Sequence, residues 1–77
     1  MNKERRIEIQ KIADRLAEIK DDLQLIHDEE ETAYENMPES LQGAAKGEAM
    51  QETVEELDSM DGDLESMINN LIEITQK

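Results

Sequence analysis

The sequence predicts an all-α fold: an antiparallel helical hairpin of coiled-coil type, assembling into a four-helix-bundle dimer or a higher oligomer. Three observations lead there. Two segments of similar length carry apolar residues at alternating three- and four-residue spacing, which gathers them on one helix face. Between them lies Asn36-Met37-Pro38-Glu39-Ser40-Leu41-Gln42-Gly43, with the only proline and the first of three glycines. The chain has 77 residues and no cysteine. Below roughly 70–80 residues a single core seldom supplies more than about 3–5 kcal/mol, and without thiols no disulfide or thiolate metal site can add to it. Self-association is then the expected source of stability. The division expected is one domain over residues 1–77, with a helix at about 2–35, a turn at 36–43 and a helix at about 44–76.

In the first segment Ile9, Ile12, Leu16, Ile19, Leu23 and Ile26 form the seam. Ile7, Ala13 and Leu25 widen the stripe beyond what one partner helix covers. The pattern weakens at Glu30 and Ala33. On the charged side, Lys11 with Asp14 and Arg15 with Glu18 are spaced for i,i+3 pairing, worth a few tenths of a kcal/mol each. Asp28-Glu29-Glu30-Glu31 then falls near the C-terminal end, where carboxylates meet the negative end of the helix dipole. Such a run reads either as a solvated face or as a patch shaped for a basic partner.

At the turn, Pro38 lacks an amide hydrogen and biases Met37 away from helical angles. Pro38-Glu39-Ser40 can form one short helical turn, Gly43 offers backbone angles closed to other residues, and Met37 and Leu41 are expected to fold back onto the core. In the second segment Met50, Thr53, Leu57, Met60, Leu64, Met67, Leu71 and Ile74 continue the three-four spacing, flanked by Val54, Ile68 and Ile72. The methionines on this seam are expected to pack in the core. Gly62, within Asp61-Gly62-Asp63, marks a kink or a close helix approach. Both helices should be about 45–50 Å long at 1.5 Å per residue.

Charge separates the function classes. The net charge is −13: residues 1–20 hold six Lys/Arg against four Asp/Glu, and residues 21–77 hold two against 17. Nucleic-acid binding rests on neutralising phosphates with Lys and Arg, so direct nucleic-acid or anionic-membrane binding is not expected. Competing with nucleic acid for a basic protein is compatible with this charge. No apolar run approaches the roughly 20 residues that span a bilayer. No apolar signal core follows the basic start Met1-Asn2-Lys3-Glu4-Arg5-Arg6, so a cytoplasmic location is expected wherever the protein is made.

Asp58, Asp61, Gly62, Asp63 and Glu65 imitate part of a calcium loop, but counting from Asp58 puts Asp63 where the glycine belongs and Asn69 where the final glutamate belongs. His27 is the only histidine and has no second His or Cys with which to hold a transition metal. Ser40, Ser59 and Ser66 are not spaced to serve as its nucleophile. The expectation is no enzyme, no metal and no cofactor, with His27 at the surface or core edge.

The central Asn36-Met37-Pro38-Glu39-Ser40-Leu41-Gln42, followed by Gly47-Glu48 and the Leu57 seam, resembles small acidic proteins of phages and other mobile elements of Gram-positive bacteria. Their pattern is a charged helix, a Leu-Pro-Glu-Ser-Leu-Gln-like turn and a second acidic helix. Where such sequences carry Ser near position 44, this chain has Ala44-Ala45, which cannot cap a helix through a side chain. The resemblance implies an accessory protein without enzymatic activity, acting by protein–protein contact, as an inhibitor of a host defence system such as an anti-CRISPR protein. The partners expected are a second copy of the chain and a basic host protein. Asp28, Glu29, Glu30, Glu31, Glu35 and Glu39 are the residues expected to meet the latter. The alternatives are a structural bundle protein and an oligomeric sponge for a nucleotide signal, to which Lys46 and, from another subunit, Lys3, Arg5 and Arg6 would contribute.

Overall fold

The computed structural model describes residues 1–77. Helix α1 spans Lys3–Glu35, a single turn α2 spans Glu39–Gln42, and α3 spans Ala45–Thr75. There are no strands, and α1 packs along α3 as an antiparallel hairpin measuring 58 × 14 × 13 Å. Its radius of gyration is 17.4 Å, against about 11.5 Å for a compact domain of this length.

The start of α1 is fixed by Asn2, whose Oδ1 accepts the Arg5 backbone N–H at 2.8 Å, satisfying one of the unpaired donors of the first turn. At the other end no cation occupies the last turn. Gln42 substitutes for one. Its Nε2 donates to the Tyr34 and Met37 carbonyls at 3.1 and 3.2 Å, tying α2 to the end of α1.

Pro38 precedes α2, and its carbonyl accepts from the Leu41 and Gln42 amides at 2.8 and 3.1 Å. The expected short helical turn is present, one residue later than read. No residue, glycine included, has positive φ, and Gly43 sits at φ −83°. The bend therefore uses ordinary backbone angles, and the conformational freedom expected of Gly43 is not called on. Ala44 opens α3 without a side-chain cap.

The glycine that matters is Gly47. A Cβ there would collide with the carbonyl oxygens of Gln42 and Leu41, whereas one on Gly62 would meet nothing within 4 Å. The close approach lies at the turn, and Gly62 lies in an open stretch of unbroken α3.

The seam between the helices differs from the one the apolar spacing suggests. Among the positions of α1 that lose exposure, Arg6, Ala13, Lys20, His27 and Tyr34 form one stripe and Ile9, Leu16, Leu23 and Glu30 the next, which Met37 continues just past the helix end. In α3 they are Gly47, Val54, Asp61, Ile68 and Thr75, with Met50, Leu57, Leu64 and Leu71. Each set repeats every seven residues, as a helix pair requires. Only Ala13 and Gly47 are fully buried.

Ile9, Leu16, Leu23, Leu57, Leu64 and Leu71 thus line the contact between the two helices of one hairpin. Ile12, Ile19, Ile26, Met60 and Met67 do not, being 44–52% exposed. Their place is taken by the stripe containing Arg6, Lys20 and His27. The physical reason is pairing across the seam: these long side chains lay their stems along it and carry their polar ends to partners on the other helix. Lys20 Nζ meets Asp61 Oδ1 at 3.2 Å and Glu65 Oε2 at 3.3 Å, and Arg6 donates to the Lys77 carbonyl at 2.8 Å. Leu41, at 50% exposure, does not cap the core either, while Met37 does turn inward.

Candidate functional site

The shared leucine and isoleucine seam leaves the hairpin with two unlike sides. On one, Glu31 and Glu35 of α1 and Gln51 and Glu55 of α3 flank a cleft floored by Tyr34 and Val54. Beside it Glu48, Gln51, Glu52 and Glu55 line a second, wholly polar depression. On the other side, Leu23, Met60, Leu64 and Met67 line an apolar groove edged by Asp63. Nearer the turn, Ala33, Met37, Leu41, Ala44 and Met50 line a hollow with Lys46 as the one charged residue.

Of the acids expected to meet a partner, Glu31 and Glu35 come together at the cleft. Asp28 lies a helical turn before Glu31 and is drawn toward His27. Glu30 is half-buried in the seam. Glu29 and Glu39 are exposed but line neither acidic depression. The run at residues 28–31 is therefore divided around the helix, because four consecutive residues cover a full helical turn. Sequence reading overlooked Glu48, Glu52 and Glu55, which complete the acidic wall from α3. Their signal was available: spacings of four and three place all three on one face.

His27 fastens this side. Its Nε2 lies 2.9 Å from Asp58 Oδ1 on α3, and its Nδ1 lies 3.0 Å from Asp28 Oδ1 and 3.7 Å from Glu31 Oε2 on its own helix. Asp61 of α3 joins His27, Asp58, Gln24 and Leu57 in lining a small cavity between the helices. The hydrogen bond to Asp28, with the surrounding charges of Asp58 and Glu31, raises the imidazole above its ordinary value of 6.5. Once protonated, His27 cross-links the two helices through carboxylates on both.

Ligand atoms of His27, Asp28 and Glu31 lie within 4.8 Å of one another. The imidazole's own ion pairs account for that convergence, since both ring nitrogens already face carboxylates. No serine is among its partners.

The charge is also sorted along the rod. Lys20 and Asp61 stand near the middle of α1 and α3 and divide it in two. The turn half, residues 20–61, holds two Lys/Arg against 14 Asp/Glu, a balance of −12. The open half, residues 1–19 and 62–77, holds six against seven. No helix is long and apolar enough to cross a membrane. No family model, curated protein or solved structure matches the chain.

Proposed function

We propose that this protein is an accessory protein of the phage or mobile-element type. It inhibits a host defence system in the bacterial cytoplasm by protein–protein contact, in the manner of an anti-CRISPR protein, with its acidic turn half occupying a basic channel that otherwise receives nucleic acid. It self-associates, and it performs no catalysis.

The observation that carries this reading is the density of charge on the turn half. Fourteen carboxylates lie on half of a rod 58 Å long and 13–14 Å thick. That is about one carboxylate per 2 Å of length, near the one charge per about 1.7 Å of duplex DNA. A narrow rod with DNA-like linear charge is shaped to enter a groove lined with Lys and Arg, and its encounter with one would be steered electrostatically. Glu31, Glu35, Glu48, Glu52 and Glu55 are the acids the fold gathers most closely.

The test is affinity purification from a bacterial host lysate, with the wild-type chain and a Glu31→Lys/Glu35→Lys/Glu52→Lys variant as baits. The expected result is recovery of a basic nucleic-acid-binding defence complex by the wild type only, weakened by salt and competed by duplex DNA. Recovery of no defence protein at low salt and micromolar bait overturns the proposal.

The second reading, a purely structural bundle, is favoured by the apolar side of the hairpin and expects self-association with no basic partner. A nucleotide sponge draws less support. Lys46 is the single cation at the turn-end hollow, and Arg6 is held at the open end by its bond to the Lys77 carbonyl.

A further inference from the structure

We infer that the apolar side of the hairpin is covered by a second copy of this chain, laid face to face with its turn at the opposite end. The inference rests on the self-associating part of the reading above and adds the face, the direction and the contacts at the axis.

The face is defined by residues one step off the seam. Ile12, Ile19 and Ile26 recur at seven-residue intervals on α1, as do Thr53, Met60, Met67 and Ile74 on α3. In an antiparallel pair these two stripes fall on the same side. Ala33 and Lys46, which continue them toward the turn, indeed border one hollow. Five of these side chains, Ile12, Ile19, Ile26, Met60 and Met67, are each about half exposed, at 44–52%, and Ile74 is partly buried.

Surface area argues for an occupant of the same size. The hairpin exposes 5749 Å², whereas a compact monomer of 8.8 kDa would expose about 4,800 Å². The excess of about 1,000 Å² is close to the roughly 800 Å² that each partner contributes to a standard interface. A second hairpin on this side converts two half-buried helices into a four-helix bundle whose leucine layer is closed.

Charge selects the direction. With both turns at one end, two −12 halves would lie side by side in a bundle about 10 Å between helix axes. With the turns at opposite ends, each −12 half lies against the half holding Lys3, Arg5, Lys11 and Arg15 of the other copy. The isoleucine stripe fits this arrangement. It is symmetric about Ile19, so an axis there sets Ile19 against its own copy and Ile12 against Ile26 of the second copy. Arg15, beside the stripe, then faces Asp22 of the second copy.

The chain lacks cysteine, so single labels report directly. Gly43 has open space around its Cβ position and negative φ, so Gly43→Cys should be tolerated, and Ile19→Cys lies at the proposed axis. Sedimentation equilibrium should give a dimer. Spin labels at Gly43→Cys should lie far apart, approaching the 58 Å rod length, and Ile19→Cys should oxidise to a covalent dimer. Ile19→Asp should give a monomer that keeps its helical circular dichroism, while Leu25→Asp, at a position 60% exposed and off this face, should leave the dimer intact.

A dimer whose Gly43 labels lie within about 20 Å, two interhelix spacings, would overturn the direction and leave self-association standing. A wild-type monomer at millimolar concentration would overturn both.

Discussion

Lys20 crosses the seam to Asp61 at 3.2 Å near the middle of both helices, with its side chain only 18% exposed. Hydrogen bonds to Asp61 and then Glu65 hold the ammonium above its ordinary 10.5, so it stays charged across physiological pH. Removing one partner of a seam ion pair strands the other, whereas replacing both with apolar residues of similar volume is often neutral or stabilising. Lys20→Met should therefore lower the urea midpoint by leaving Asp61 facing apolar surface. Lys20→Met/Asp61→Leu should recover or exceed the wild-type midpoint, with weaker discrimination between registers.

His27 makes stability depend on pH, and the sign follows from its partners. Asp28, Glu31 and Asp58 favour the protonated imidazole, so its folded value stands above its unfolded value. The contribution is fully present below the unfolded value and is lost as pH rises through the folded one. Thermal melts from about pH 5 to about pH 8 should show the midpoint falling through the upper part of that range. His27→Gln should flatten the fall. A midpoint rising with pH in the wild type would contradict the pairing.

The two helical glycines of α3 should respond with opposite sign. Replacing an exposed helical glycine with alanine gains about 1 kcal/mol, and Gly62→Ala has the space to realise it. Gly47→Ala instead drives a methyl into the carbonyls of Gln42 and Leu41. It should cost about 1–3 kcal/mol, the range for overpacking, as measured by chemical denaturation.

Gln42→Ala removes two hydrogen bonds that satisfy carbonyls at the end of α1. The expected loss is about 1–2 kcal/mol at roughly 1 kcal/mol per bond. Hydrogen exchange should show fraying confined to the last turn of α1 and to α2.

The helices and the turn were legible because they depend on local signals: three-four spacing of apolar residues and a single proline between the two segments. The choice of inward face was not. The spacing of Ile9, Leu16 and Leu23 is common to two seams. Apolar content favours the one through Ile12, Ile19 and Ile26, whereas the hairpin uses the one through Ala13, Lys20 and His27. What decides is whether Lys20 meets Asp61 and His27 meets Asp58, which are facts about a distant stretch of chain. The candidate site was half legible for a similar reason. Glu31 and Glu35 were named, but a linear acidic run hid the fact that α3 supplies the other wall through Glu48, Glu52 and Glu55. Gly47 and Gly62 look alike in sequence and differ only in what passes near them.

The residues of the central motif have structural work at the bend. Pro38 starts α2, Gln42 ties it to α1, and Gly47 lets it come close to α3. A chain sharing these residues would share the bend. What it binds would be written on the helix faces.

The balance of −12 on the turn half makes the ion cloud a component of the fold. Carboxylates packed at about one per 2 Å hold counter-ions much as a polyelectrolyte does, and without that cloud their mutual repulsion pushes α1 and α3 apart from the turn inward. Dilution of the buffer should act on this hairpin as a mild denaturant, added salt should raise its melting temperature, and a basic protein that replaces the cloud would rigidify the turn half as it binds.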